Sequence, residues 1–293
     1  MRKFKLKDQA ARRMMDLENE KSPTVPASHQ PEAEAERSPE KTAGGHIQIA
    51  WRTDVGRIRR NNQDSIILGC GLAGVADGMG GHNGGEIASG GLRDGLLREL
   101  QGASPSEETL RQAIEKVNLE LWEKQNREEQ LSGMGTTLTV IWPADTRMIL
   151  AQVGDSRGYL LRDGEMRQIT NDHSMVADMV RKGILTEEQA ACHPMRNYIT
   201  RAVATEETVE VDLFTVPRQA GDRWLICSDG LHGQISKETL KELLSSGDPE
   251  EAASLLLSAA LEAGGRDNIS LVLLQDESGC DPDDEPSAGE AVG

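Results

Sequence analysis

The stretch that most constrains this chain is Val75 to Glu86, VADGMGGHNGGE, where an apolar run ends on one carboxylate and passes at once into a glycine-rich turn. The run reads as a buried strand. Asp77 falls where that strand emerges, and Gly78, Gly80, Gly81, Gly84 and Gly85 permit a tight turn with bare backbone amides and carbonyls. A carboxylate beside an exposed carbonyl suits a hard divalent cation, because Mg²⁺ and Mn²⁺ take oxygen ligands. Taken alone, a strand-to-helix turn that merely uses glycine fits the stretch as well, so the rest of the chain has to decide.

The pattern returns. Arg223 to Cys227 is an apolar run that ends in Ser228, Asp229 and Gly230, and Gly264, Gly265, Arg266, Asp267 and Asn268 lead into the final run ISLVLL. A metal cluster needs carboxylates from separate strands to converge at one rim, and Asp77, Asp229 and Asp267 each stand where a strand meets a glycine-bearing loop. Gly154, Asp155, Ser156 and Arg157 put a further acid at a strand end, although by themselves they read as a plain turn. Arg57, Arg59 and Arg60 precede Asn61, Asn62, Gln63 and Asp64. Guanidinium matches phosphate bidentately, so this cluster is a candidate anion clamp, with a solvated charged hairpin as the plainer reading.

Periodicity places these turns on a framework. Strands are expected at His46–Thr53, Ile66–Leu68, Thr136–Trp142, Met148–Val153, Gly158–Leu161, Glu165–Ile169, Val209–Val216, Arg223–Cys227 and the ISLVLL run. Helices are expected over Glu86–Leu100, from a Ser104-Pro105-Glu107 cap to about Arg127, from Ser236, and from an Asp248-Pro249-Glu251 cap. Consecutive short strands joined by turns argue for antiparallel sheets. Between about 172 and 204 the pattern changes to two short helices, the second with a Thr186–Gln189 capping box, which reads as a surface flap; His173 and His193 lie in it as turn or packing residues. Gly69, Gly71 and Gly74 match GxGxxG, but here the motif opens another apolar strand rather than a helix, so it is assigned to a hairpin turn. No phosphate-binding GxxxxGK[ST] sequence occurs.

Composition bounds the rest. The 293 residues, 37% apolar, fit one globular body of about 46–275 with tails. A formal charge of −17 excludes a nucleic-acid groove, which needs a basic field. Cys70, Cys192, Cys227 and Cys280 form no CxxC pair and read as reduced thiols. No apolar run is long enough to span a membrane and no signal-peptide stretch opens the chain, so a cytoplasmic protein is expected. Residues 1–45 are charged and rich in Pro, Glu and Ala, and 276–293 are acidic; both read as disordered. Within the arm, Arg2, Lys3, Lys5, Lys7, Arg12 and Arg13 alternate with Phe4, Leu6, Met14 and Leu17, which also permits a short amphipathic helix on a partner or an anionic surface.

In order and spacing these blocks resemble the metal-dependent protein phosphatase family, protein phosphatase 2C, in its bacterial form. The matching blocks are Arg59-x-x-Asn62-Gln63-Asp64, DGMGGH from Asp77, GMGTT from Gly133, VGDSR from Val153, TNDHS from Thr170, HPMRNYITRAV from His193, SDGL from Ser228 and GGRDN from Gly264. The resemblance implies an α+β fold, a four-layer α-β-β-α sandwich of two antiparallel sheets with a helix pair outside each. It also implies two divalent cations, Mn²⁺ or Mg²⁺, at one end, and a weaker third. Asp77 would bridge the pair, the Gly78 carbonyl would hold one cation, and Asp229 with Asp267 the other. Asp64 would act on metal-bound water, Arg59 would bind the substrate phosphate, Asp155 would help hold the third cation, and Gln63 and Asn268 would support the site. The implied activity is hydrolysis of phosphoserine and phosphothreonine in proteins by a metal-bridging water, opposing a serine/threonine kinase, with the protein a monomer.

Three departures stand out against that family. Gln63 replaces a common Glu, Met79 takes the place of a histidine that protonates the leaving oxygen in animal members, and Ala204 replaces a glycine. A phosphatase-like body that binds phosphopeptide without turnover is the alternative, and loss of a core acid would signal it; none is lost. The cysteines offer no CxxxxxR loop, which supports a water nucleophile over a cysteinyl one.

Overall fold

Alternation of apolar and polar residues sets the first strand, β1 (Ile47–Asp54), whose Ile47 and Ala50 are buried. The computed structural model describes residues 47–80 and 84–277, so the expected N-terminal arm and the tail beyond Glu277 lie outside the described residues. Strands β2 (Asp64–Gly69) and β3 (Leu72–Met79) form a hairpin. Its two turn residues, Cys70 and Gly71, have φ of 54° and 76°, as a type I′ turn requires. The GxGxxG match therefore is a hairpin turn.

Helices α1 (Gly84–Glu99) and α2 (Glu107–Arg127) follow, then β4 (Gly135–Thr136), β5 (Leu138–Pro143), β6 (Arg147–Val153), β7 (Arg157–Arg162) and β8 (Glu165–Gln168). The flap carries α3 (Met175–Arg181) and α4 (Glu187–Ala191). The chain ends with β9 (Asp212–Pro217), β10 (Arg223–Cys227), α5 (Asp229–His232), α6 (Lys237–Leu244), α7 (Pro249–Glu262) and β11 (Ile269–Asp276).

One sheet has the order β1-β11-β10-β7-β8 and the other β2-β3-β5-β6-β9, with β4 paired to β3. All of these pairings are antiparallel. The inner faces meet in a core that includes Val75, Ile141, Leu150, Trp224, Ile226 and Val272. Outside one sheet, Leu92 and Leu96 of α1 and Ile114 and Leu121 of α2 cover Ile67, Val140 and Ile149. Outside the other, Leu240, Leu244, Leu256 and Ala260 of α6 and α7 cover Leu225, Leu271 and Leu273. In β11, Leu271 and Leu273 face the helices while Val272 and Leu274 face the opposite sheet. Burial on both faces is why ISLVLL is apolar without alternation. The result is the four-layer α-β-β-α sandwich.

Local departures have local causes. Helix α2 is capped by Ser106, which accepts from the Thr109 amide, not by the expected Ser104–Glu107 box; Pro105 precedes the cap instead of opening the helix. The expected strand at 136–142 is interrupted at Thr137, whose amide donates to Asp77 O at 2.8 Å while its Oγ1 accepts from Asp77 N at 2.9 Å. Strand β9 starts at Asp212, because Val209 and Val211 turn into the helix-side core. Strand β11 continues through Asp276, which is buried against Arg218 at 2.7 Å. The Thr186–Gln189 capping box and the Asp248–Pro249 cap form as the sequence predicts.

Candidate metal centre

Two strand pairs, one from each sheet, end at a common rim. In the β2–β3 hairpin Asp64 lies directly opposite Asp77. In the other sheet β10 ends at Ser228 and Asp229, and β11 is entered through Asp267 and Asn268. Two glycines allow the close approach. A Cβ on Gly78 would fall inside the van der Waals radii of the Gly85 and Gln63 carbonyl oxygens, and one on Gly230 inside that of Asn268 O.

The supporting groups tie the sheets together. Ser228 Oγ donates to Asp64 Oδ2 at 2.9 Å. Asn268 donates through Nδ2 to the carbonyls of Val55 and Asn61, both at 3.0 Å, and accepts from Gln63 N at 2.9 Å. Gln63 O in turn receives Gly78 N at 3.1 Å and Ser89 Oγ at 2.6 Å. Arg59 reaches the rim and pairs with Asp267 at 2.6 Å. Asp155 sits behind, in the β6–β7 turn, 7% exposed.

Crowded and buried carboxyls resist ionisation. Burial pushes Asp64 up to about 7, with the charges of Asp229 and Asp267 adding to it. Burial and then the Asp229 charge push Asp155 up to about 8. Burial and Asp267 push Asp229 up to about 6. Asp77 is raised well above the carboxylate range by burial and then by Asp64, Asp229, Asp155 and Asp267, so all four other acids act on it.

Oxygen-only donors, mutual repulsion and two buried carboxylate oxygens without a hydrogen-bond partner, Asp64 Oδ1 and Asp155 Oδ1, fit a hard divalent cation. Among the described residues no three His, Cys, Asp or Glu side chains close into a ligating cluster. Asp229 shares a side-chain hydrogen bond with Asp77, while Asp267 is turned to Arg59 and Asp64 to Ser228.

The structure thus brings Asp64, Asp77, Gly78, Asp229, Asp267, Gln63, Asn268 and Arg59 to one rim and puts Asp155 beside it. Reading the sequence overlooked Ser228, Thr137 and His232. His232 is held neutral by burial at about 3, and its Nε2 donates to Asp155 O at 3.1 Å. The SDGL and GMGTT blocks contained the two hydroxyls, but a hydroxyl near an acid is too common in sequence to signal a role.

A doubly helix-covered β-sandwich with an acidic, oxygen-rich rim suited to hard cations defines the class of this fold. The Protein phosphatase 2C family profile matches residues 57–262, and the chain belongs to that family. It is 43% identical over 230 residues to the serine/threonine protein phosphatase PstP of Mycobacterium tuberculosis, covering 78% of this chain and 44% of that protein. The chain thus spans somewhat under half of that relative. It is 39% identical over 248 residues to the serine/threonine phosphatase stp of Listeria monocytogenes, covering 78% of this chain and 96% of that one. The solved catalytic domain of PstP in complex with two manganese ions superposes with a TM-score of 0.72 at 40% identity, covering 79% of this chain and 98% of that domain.

Proposed function

We propose that this chain is a metal-dependent serine/threonine protein phosphatase whose substrates are phosphorylated proteins. The observation that carries the reading is the rim itself, where acids from both sheets converge around buried carboxylate oxygens that no protein donor satisfies. Asp77, the Gly78 carbonyl, Asp229 and Asp267 would hold two Mn²⁺ or Mg²⁺ ions, with Asp155 serving a weaker third. Such ions, when bound, supply charge neutralisation at the phosphoryl group and a more acidic water.

The chain's own residues then divide the work. Asp64, fixed at Oδ2 by Ser228, presents Oδ1 to take the proton of the attacking water. Arg59, half-exposed and tethered to Asp267, swings its guanidinium onto the phosphate dianion and orients it. Asn268 and Gln63 hold the Asp64 and Asp267 loops in register through the bond at 2.9 Å. With Met79 at the end of β3, no imidazole stands at that position, and the leaving alkoxide takes its proton from another source.

We place the catalytic body at about 46–277, so that it keeps β11 through Asp276, and regard the arm and the tail beyond it as dispensable for chemistry. A cytoplasmic monomer opposing a serine/threonine kinase is the setting this implies; among the described residues no helix is long and apolar enough to cross a membrane. Hydrolysis of a phosphothreonine peptide in Mn²⁺, in Mg²⁺ and in EDTA tests the reading. Turnover with either ion and none in EDTA is expected, and turnover that survives thorough chelation overturns it.

A further inference from the structure

We propose that His173 is a positioning residue for Asp155, acting through the hydrogen bond its ring accepts from the Gly154 amide. The inference rests on the reading of Asp155 as a cation ligand. Asp155 Oδ1 has no hydrogen-bond partner and the carboxylate bonds its own backbone amide, so its aim follows the backbone of its turn. His173 grips the preceding residue, Gly154, on both its amide and its carbonyl. Its backbone N donates to Gly154 O at 2.9 Å, and its Nδ1 accepts from Gly154 N at 3.0 Å. Gly154 has a φ of 106°, and a Cβ there would lie 2.6 Å from Thr137 Cγ2. No other residue type takes up this turn unstrained, and packing alone cannot substitute for the bonds that hold it. Gln152 Nε2 donates to the Gly154 and Ser156 carbonyls, each at 3.2 Å, and His232 to Asp155 O; neither reaches the Gly154 amide.

The same geometry fixes the ring's tautomer. An amide N–H can be accepted only by an unprotonated Nδ1, so the ring proton is on Nε2, which faces Asp212 Oδ2 at 3.2 Å. Arg201 Nη1, 3.1 Å from Nε2, is a second donor converging on the same carboxylate, bonded to Oδ1 at 2.6 Å. His173 is 5% exposed. Its other nitrogen therefore faces β9, and anchoring the flap through Asp212 is the rival explanation for its burial.

The two nitrogens separate the explanations. His173→Asn keeps an acceptor where Nδ1 lies and loses the contact to Asp212, whereas His173→Gln keeps a donor near Nε2 and loses the acceptor for Gly154. Mn²⁺ titration by calorimetry is done on the wild-type chain, both variants and Asp155→Asn, with peptide kinetics alongside. Asp155→Asn and His173→Gln should weaken the same, weakest Mn²⁺ event about 10- to 100-fold, the usual cost of losing a supporting partner of a ligand. His173→Asn should keep it. If His173→Gln keeps the event while Asp155→Asn loses it, the proposal fails and the reading of Asp155 stands. If Asp155→Asn binds Mn²⁺ as the wild type does, Asp155 holds no cation and both fall. A His173→Asn variant that loses the event or cannot fold also overturns the proposal. Should only His173→Gln fail to fold, retention of the event by His173→Asn decides in its favour.

Discussion

Chelation should make the folded body less stable as the pH rises from 6.5 to 8, and Mn²⁺ should remove that trend. Asp64 stands at about 7 and Asp155 at about 8 in the fold, against about 4 for an aspartate in an unfolded chain. Over this interval the folded state still holds protons that the unfolded state has lost, so stability falls with pH until the folded groups have ionised. Integration gives about 1 kcal/mol from Asp64 and about 2 kcal/mol from Asp155. Asp229, at about 6, is mostly ionised already. Asp77, raised well above the carboxylate range, acts in the same direction.

The buried histidines oppose this trend in part. His173 and His232 are depressed below their ordinary 6.5. In an unfolded chain each is still half protonated at pH 6.5, so each adds about 0.4 kcal/mol of stability between 6.5 and 8, against the aspartates. A net fall of about 2 kcal/mol lowers the melting temperature by roughly 4–8 °C for a body of this size. Scanning calorimetry in EDTA at pH 6.5, 7, 7.5 and 8 measures it. With saturating Mn²⁺ the acids are held ionised in the fold as well, so the melting point should stay level and Mn²⁺ should stabilise more at pH 8 than at 6.5. A level melting curve in EDTA, or an equal Mn²⁺ effect at both ends, refutes the account of the acids as a mutually repelling buried set.

Other perturbations probe separate parts of the argument. Asp77→Asn should lower turnover by orders of magnitude at any substrate concentration and lose Mn²⁺ binding in calorimetry, whereas Arg59→Ala should retain Mn²⁺ and raise KM about ten- to a hundredfold; unchanged metal binding in the first or lost binding in the second reverses the roles. Ala204 has a φ of 70°, a conformation that costs a side-chain-bearing residue about 1–2 kcal/mol. Ala204→Gly relieves that strain but deletes a methyl buried in the core, so with glycine's flexibility counted stability should change by less than about 1 kcal/mol, and a larger drop in the denaturation midpoint sinks this. A chain trimmed to 46–277 should hydrolyse a small aryl phosphate at nearly the full rate. Ending it at Gln275 removes Asp276 from Arg218, whose side chain is 4% exposed, and should cost about 3–5 kcal/mol; equal melting points for the two chains argue against that pair.

Asp77, Asp229 and Asp267 were legible one residue at a time, because each sits where a strand meets a glycine-bearing loop, whereas Asp64 and Asp155 were marked only by the family resemblance. Their mutual placement was legible only in part. The facing of Asp64 and Asp77 follows from the two-residue turn at Cys70–Gly71, since counting back along both strands from Gly69 opposite Leu72 arrives at that pair. Asp229 and Asp267 meet because β10 lies beside β11, a pairing across about forty residues that no local pattern encodes. Thr137, Ser228 and His232 were hidden for another reason: their work is done by hydrogen bonds to backbone or to a single carboxylate, and such bonds leave no periodicity.

The site's position between sheets links its chemistry to the fold's stability. Asp64 belongs to one sheet and its partner Ser228 to the other, and Asn268, entering β11, holds Gln63 N beside β2. A cation shared by Asp77 and Asp229 would therefore clamp the two sheets at the end where their acids repel each other. Ligand that binds only the folded state adds stability in proportion to the logarithm of its concentration over Kd. The same repulsion that raises the carboxyl pKa values without a cation becomes attraction to a shared charge with one. The rim is thus the place where the sandwich is least self-sufficient, and the metal dependence proposed for turnover should extend to the melting of the whole body.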